Sequence, residues 1–194
     1  MARARDETAI QEKLSEAVFA TLAERGAVGL TLRAVAERAD CTTGLVLHTF
    51  RDKRALLLHA RDVLHERTRL RFDALTTDDL DPEAALRAVA SAALPTDPAG
   101  LAEARAWIGF LSAALSDPIL AERHAVHNRA FVERLEGLLE AIDGPRPDAP
   151  DRAAALASAV EGISTLAAGD ADSWTPDRQR RALDVVLAAV LGAR

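Results

Sequence analysis

A run of small and polar side chains around residue 43 has the residue types that contact the bases of DNA. Thr42, Thr43 and Gly44 follow one another at the predicted start of a short helix, which Thr42 can cap. Helices that enter the major groove present such residues at their N-terminal end. Gly44 permits close backbone approach, and Lys53, at the start of the next helix, can hold a phosphate. Two short helices joined by a turn are a weak signal, so a helical hairpin without DNA contact remains an alternative.

Other residues with chemical potential give less specific patterns. His124 and His127 share one helix face, but no carboxylate or third imidazole follows four residues on, so we favour pocket or solvated histidines and predict no metal and no cofactor. Cys41 can act as a redox sensor, although a small buried apolar residue is its commoner role. The chain has no glycine-rich phosphate loop, no HExxH motif and no nucleophile elbow. We therefore predict that it is not an enzyme.

The helices that must position these residues follow from apolar spacing and capping residues. The first is predicted from about residue 6 to 25, ended by Gly26 and Gly29. Thr31 caps a short second helix, and the third ends near His48. A long fourth helix begins near Arg51. These elements form a three-helix N-terminal group followed by a long helix.

Four later helix starts are marked by a capping residue followed directly by proline, which has no N–H to lose at the first helical position. The pairs are Asp81-Pro82, Asp97-Pro98, Asp117-Pro118 and Thr175-Pro176. A further helix should open between Asp148 and Asp151 and run to about Gly169. Strand signals are nearly absent, so the predicted fold is all-α with about nine helices and no sheet.

Charge is distributed unevenly along the chain, although the net charge is −6. Residues 1–60 hold nine Lys or Arg against eight Asp or Glu, a net of +1, so the remainder carries −7. This pattern fits a small DNA-contacting segment attached to an acidic body. The single cysteine and the absence of a signal peptide or long apolar segment predict a cytoplasmic protein that does not bind a membrane.

The segment TLRAVAERADCTTGLVLHTFRDKRALL, residues 31–57, closely resembles the DNA-binding signature of the TetR family. Residues 105–124 and 159–172 are similar to the C-terminal domain of the BetI-like branch. The resemblance implies a helix-turn-helix DNA-binding domain over residues 1–50 and a ligand-binding and dimerisation domain over residues 51–194. It implies a transcriptional regulator, in our interpretation a homodimeric repressor that leaves a palindromic operator when a small-molecule effector binds.

The family pattern also assigns roles within the helix-turn-helix. It implies that Thr42, Thr43, Leu47 and His48 face the major groove, and that Thr31, Arg33 and Lys53 hold the DNA backbone. The family commonly has an aromatic pair ahead of His-Phe, whereas this chain reads Leu47, His48, Thr49 and Phe50. Leu47 can instead contact a thymine methyl group, and His48 a phosphate or a purine N7.

Apolar stripes in the last two helices suggest where two copies meet. Small residues between the larger ones allow another helix to approach, and the resemblance implies a four-helix interface across a two-fold axis. The predicted interface residues are Leu156, Val160, Ile163, Leu183, Val186, Leu187 and Val190.

The effector site rests on the resemblance, which places a cavity among the middle helices. The candidate lining residues are Phe72, Trp107, Phe110, His124, His127, Phe131 and Trp174. Trp107 and Phe110 have a simple core role as their alternative. We favour a neutral, largely hydrophobic effector held by His124 or His127, with a quaternary ammonium compound as the other option. A helical ligand carrier or scaffold without DNA binding is the alternative function.

Overall fold

A computed structural model describes residues 2–76 and 80–192, with side chains from residue 9 onward. In these ranges there are nine helices and no strand, which confirms the all-α prediction. The helices are α1 (Ala2–Gly29), α2 (Leu32–Arg38), α3 (Thr43–Thr49), α4 (Lys53–Asp73), α5 (Pro82–Ala92), α6 (Pro98–Ala114), α7 (Pro118–Asp143), α8 (Ala149–Gly169) and α9 (Pro176–Gly192). No helix within the described ranges is long and apolar enough to cross a membrane.

The predicted helix starts are set by local capping. Before each of the four prolines, the side chain accepts a hydrogen bond from a backbone N–H of the first turn, and the four capping residues are Asp81, Asp97, Asp117 and Thr175. These bonds satisfy N–H groups that have no partner within the helix. Each helix consequently begins at the proline that the sequence predicts.

Gly26 interrupts the helical geometry of α1 at the point where the sequence predicts the first helix to end. Gly26 has φ +63° and ψ −176°, which departs from helical geometry and is accessible to glycine at little cost. The Leu30 N–H nevertheless donates to the Gly26 carbonyl at 3.1 Å, so helical bonding resumes after the kink. The helix thus reaches Gly29, directly before the Thr31 cap of α2.

The chain divides into two compact units. The first unit comprises residues 1–66 and 105–124, and the second comprises residues 67–104 and 125–194. The first unit therefore extends beyond the expected domain boundary at residue 50. It includes most of α4, the C-terminal part of α6 and the start of α7.

Each unit has its own buried apolar core. In the first unit, Leu14, Val18 and Leu22 of α1 lie in the interior with Val35 of α2 and Leu56 of α4. In the second unit, the core is built mainly from α5, α7, α8 and α9, and includes Leu86, Val89, Leu135, Leu139, Leu156, Val160, Leu183 and Leu187. Burial of these side chains is the main source of stability for both units.

Candidate nucleic-acid interface

The turn between α2 and α3 is held by hydrogen bonds that the local sequence supplies. Thr31 Oγ1 accepts from the Ala34 N–H at 3.1 Å, and Thr42 Oγ1 accepts from the Leu45 N–H at 3.2 Å, so both predicted caps form. Asp40 takes the left-handed φ of +46° that asparagine and aspartate tolerate better than most residues. The turn therefore fixes where α3 begins relative to α2.

The short helix α3 has one buried and one exposed face. Val46 is fully buried, and Phe50, which follows the helix, is 7% exposed, so both anchor α3 to the first unit. The other face is exposed and carries all five residues predicted to meet DNA on this helix, namely Thr42, Thr43, Gly44, Leu47 and His48. A short helix with small and polar residues at its exposed N-terminal end has the form that major-groove recognition requires.

Gly44 is not required by packing within the protein. A Cβ atom placed there would find only Thr42 Oγ1 within 4 Å, at an ordinary contact distance of 3.8 Å. Its backbone is also not in the left-handed region where glycine is favoured. The absence of a side chain consequently leaves space outside the protein, where another molecule can approach the start of α3.

Basic and polar side chains flank this exposed face. Thr31 and Arg33 are exposed at the start of α2, and Lys53 is exposed at the start of α4, where its Nζ donates to the Val28 carbonyl at 3.3 Å. Arg51, which the sequence analysis did not select, has 84% of its side chain exposed and lies 3.4 Å from the carboxylate of Asp52. The close spacing of Arg51, Lys53 and Arg54 was the available sequence signal for this additional cation.

A cluster behind α3 was also missed by the sequence analysis. The His59 ring of α4 lies 4.9 Å from the Phe50 ring, and its Nε2 is 2.9 Å from Ser15 Oγ of α1. Burial lowers the pKa of His59, and the charge of Asp62 opposes this effect. An open cleft of about 680 Å³ adjoins the cluster, lined by Gln11, Glu12, Ser15, Glu16, Thr49, Phe50 and His59. Forty-four residues separate Ser15 from His59, so no local pattern reveals their contact.

Three of the predicted effector residues lie in the first unit. The Trp107 and His124 rings have centroids 6.2 Å apart. Burial, with a smaller contribution from the charge of Arg61, lowers the pKa of His124, which favours its neutral form. Its Nδ1 is buried and has no hydrogen-bond partner among the described residues. Phe110 is fully buried, which agrees with the alternative core role that its sequence allowed.

The other four predicted effector residues lie in the second unit. Phe72 and Phe131 stack with ring centroids 5.7 Å apart, and Phe72 is only 3% exposed. Trp174 is half-buried and has the Arg178 guanidinium 4.7 Å from its ring centroid. His127 is 9% exposed. Within the part of the chain that the structure describes, no group of three or more potential ligands can hold a metal ion.

Most of the predicted dimer residues are buried within one protomer. Six of them are buried in the core of the second unit, with exposures of 0 to 7%, and Val186 packs against the same core. Side chains already enclosed within one protomer cannot form its outer surface. The exposed residues of α8 and α9 include charged side chains as well as a set of small and apolar ones, namely Ala154, Ala155, Ser158, Gly162, Leu166, Val185, Ala188 and Ala189.

Comparison with known families matches both parts of the chain. The sequence profile described as "Bacterial regulatory proteins, tetR family" matches residues 15–60. The profile described as "BetI-type transcriptional repressor, C-terminal" matches residues 82–192.

Individual proteins agree with the family matches. The chain is 32% identical over 170 residues to the HTH-type transcriptional regulator BetI of Burkholderia cenocepacia, covering 83% of this chain and 84% of that protein. A transcriptional regulator from Rhodococcus sp. Rha1 superposes with a TM-score of 0.86 at 31% identity, covering 93% and 95% of the two chains. A putative regulator from Saccharomonospora viridis, solved in complex with choline, superposes with a TM-score of 0.83 and covers 95% of both chains. Its identity to this chain is only 16%, so this similarity concerns the fold alone.

Proposed function

This chain belongs to the TetR family of DNA-binding transcriptional regulators, in the branch with a BetI-type C-terminal domain, and from that we propose a specific mode of action. It is a homodimeric repressor that binds a palindromic operator and leaves it when a small-molecule effector binds. The observation that carries the DNA-binding part is the exposed face of α3, whose small and polar residues include a glycine that the protein itself does not need.

On the operator, residues of α3 and its neighbours divide into two groups. Thr42, Thr43, Leu47 and His48 meet base edges, with Leu47 against a thymine methyl group and His48 donating to a phosphate or a purine N7. Thr31, Arg33 and Lys53 hold the phosphates and set the orientation of α3. Lys53 now donates to a backbone carbonyl on an exposed surface, so it exchanges that bond for a phosphate at little cost.

The first prediction separates these two groups by substitution. Thr43→Ala should weaken binding at particular operator positions, because a base contact is lost. Lys53→Ala should weaken binding to all sequences alike and reduce the salt dependence of log K by about 1, because one fewer phosphate is neutralised. The measurement is titration at several salt concentrations of an operator selected from random DNA, and of random DNA itself.

Arg180→Ala, which removes an exposed cation of α9, is the matched control. It should change neither the operator affinity nor its salt dependence. Equal losses on operator and random DNA for both Thr43→Ala and Lys53→Ala would contradict the assignment.

The proposed dimer uses the outer face of α8 and α9. Its alanines, Gly162 and Ser158 allow close helix approach, while Leu166 and Val185, 50% and 71% exposed, supply apolar surface to bury. Two such faces related by a two-fold axis form a four-helix interface. The dimer then carries two copies of α3 to successive major grooves, roughly 34 to 36 Å apart.

The proposed effector is neutral and largely hydrophobic, with one or two polar groups. The neutral imidazole of His124 supports this, because its Nδ1 can accept a hydrogen bond from an uncharged ligand and Trp107 offers an apolar surface beside it. Choline bound to a regulator of the same fold makes a quaternary ammonium ligand the alternative. The effector favours a conformer that cannot bind both half-sites, so it releases the operator through its differential affinity alone.

The second prediction tests this site with a thermal-shift screen of mixed neutral and charged small molecules. A ligand at 100 times its dissociation constant should add about 2.7 kcal/mol to the free energy of unfolding. Trp107→Ala should weaken the binding of the ligands that the screen identifies. Strongly charged hits, or hits that Trp107→Ala leaves unchanged, would show that the effector assignment is wrong.

A helical ligand carrier or scaffold is the alternative function. Neither function requires enzyme activity or a cofactor. The repressor acts on DNA in the cytoplasm, whereas the carrier does not bind DNA. A gel-shift experiment with the selected operator distinguishes them, since a carrier would leave the DNA unshifted at concentrations where the repressor binds it.

A further inference from the structure

We propose that His59 makes DNA binding by the first unit sensitive to pH, so that protonation of its imidazole weakens specific binding to the operator. This inference rests on the proposed function, because it concerns the stability of the helix that reads the operator.

His59 of α4 contacts both α1 and the residue that ends α3. It belongs to α4, its Nε2 lies 2.9 Å from Ser15 Oγ of α1, and its ring packs 4.9 Å from that of Phe50. Phe50 ends α3, and its N–H donates to the Val46 carbonyl at 2.7 Å. A change in the position of His59 therefore acts directly on the C-terminal end of α3.

Burial favours the neutral form of His59 in this position, whereas the nearby carboxylates favour its charged form. Burial lowers its pKa, and Asp62 on the same helix opposes the shift but is itself held by both oxygens to Arg123, at 2.8 and 2.7 Å. From α1, Glu12 and Glu16 line the cleft beside His59. From α3 and its end come Thr49 and Phe50, neither of which carries a charge.

The open cleft provides an alternative position for the protonated ring. An imidazolium that rotates into the cleft gains water and the carboxylates of Glu12 and Glu16, which stabilise its charge. In doing so it loses its contacts with Phe50 and Ser15, and α3 loses support at one end. Protons thus favour the rotated, weakly binding conformer over the packed one.

The direction of the pH effect follows from linkage. The pKa of His59 is lower in the packed conformer than its ordinary value of 6.5. The stabilisation of the packed form is therefore complete above the pKa of the rotated imidazole and is lost as pH falls from there through the lowered pKa of the packed form. Specific binding should decline over the same range of pH.

The test compares operator and random-sequence DNA at constant ionic strength from pH 7.5 to 5.5. The ratio of the two affinities removes the general gain in phosphate binding that acid produces. For the unaltered chain, this ratio should fall several-fold between pH 7.5 and 5.5. In His59→Gln, which keeps a hydrogen-bonding group but does not titrate, the ratio should stay constant.

Two further variants keep the inference testable if His59→Gln folds poorly. Asp62→Asn removes the charge that raises the pKa of His59, so the pKa of the packed ring should fall further. The acid-induced fall in the affinity ratio should then become larger. His48→Gln removes an exposed histidine of α3 and should retain the loss, whatever its affinity at pH 7.5. Circular dichroism at each pH checks that the helices remain formed.

A ratio that falls equally in His59→Gln and the unaltered chain would overturn the inference, as would a smaller loss in Asp62→Asn or no loss in the unaltered chain. If the unaltered chain selects no operator even at pH 7.5, the proposed function itself fails. If the unaltered chain binds the operator at pH 7.5 but His59→Gln responds to pH in the same way, only the proposed role of His59 fails and the proposed function stands.

Discussion

Gly44 occupies the second position of α3, where most residues would favour the helix more than glycine does. Alanine is better than glycine in a helix by roughly 0.5–1 kcal/mol, and a Cβ atom at Gly44 meets no protein atom closer than 3.8 Å. Glycine therefore lowers the stability of α3 slightly. A requirement for close approach by DNA gives a physical reason for that cost.

This reasoning predicts opposite effects of Gly44→Ala on stability and on DNA binding. The free energy of unfolding should stay the same or rise, while operator binding weakens by about 1–3 kcal/mol, comparable to one mismatched base pair. Thermal unfolding and operator titration measure the two effects. The matched control is Gly137→Ala, because Gly137 is exposed on α7 with no atom near its Cβ position, so it should leave operator binding unchanged. Full operator affinity in Gly44→Ala would disprove the role of this glycine.

At the scale of elements, α8 and α9 each have two faces that differ in side-chain size. The larger residues of the predicted stripe face the core of the same protomer, as Ile163 does at 6% exposure. The exposed positions include alanines, Gly162, Leu166 and Val185 together with charged residues such as Asp184. The same helices therefore stabilise the protomer with one face and are proposed to meet a second copy with the other.

Glutamate substitutions should distinguish these two faces. Leu166→Glu with Val185→Glu should dissociate the dimer and leave each protomer folded, because both sites are open to water in one chain. Ile163→Glu should unfold the second unit, because it buries an unpaired charge. Light scattering measures the mass, and circular dichroism the helix content. Ala141→Glu on an exposed position of α7 is the control and should change neither. A folded dimer with both outer-face substitutions would place the interface elsewhere.

At the scale of the whole molecule, the DNA-binding unit depends on a segment distant in sequence. Arg105–His124 belongs to the first unit, where Asp117 accepts a hydrogen bond from Arg54 Nε at 2.7 Å and also caps α7. Gly109 of α6 lies so close to α1 that a Cβ atom there would be 3.0 Å from Leu22 Cδ1. A side chain at Gly109 would therefore have to displace Leu22 by a few tenths of an ångström.

Gly109→Val should therefore reduce the stability of the first unit. Leu22 is 1% exposed, so the larger side chain must displace it within the buried core, and this overpacking should cost about 1–3 kcal/mol. Thermal unfolding should show the loss, and operator affinity should fall with the fraction of folded first unit. Gly137→Val introduces the same side chain at an open helical position and should leave operator affinity intact. Unchanged stability in Gly109→Val would show that this contact is not tight.

The sequence by itself determined the features that depend on neighbouring residues. Helix starts at Asp81, Asp97, Asp117 and Thr175 follow from capping bonds that span three residues or fewer, and the exposed residues of α3 follow from its short amphipathic pattern. Local hydrogen bonding and helical periodicity operate within a few residues, so they can be read directly from the chain.

Only the tertiary structure decided which surfaces the helices cover. An apolar stripe shows that a face is buried but not whether the covering helix belongs to the same chain, which is why Leu156 and Leu187 were predicted at the dimer interface although both lie in the core of one protomer. The contact of His59 with Ser15, and the packing of Gly109 on α1, join residues far apart in sequence. Such contacts depend on how complete helices pack, because side-chain shape across the whole unit selects each helix's partners.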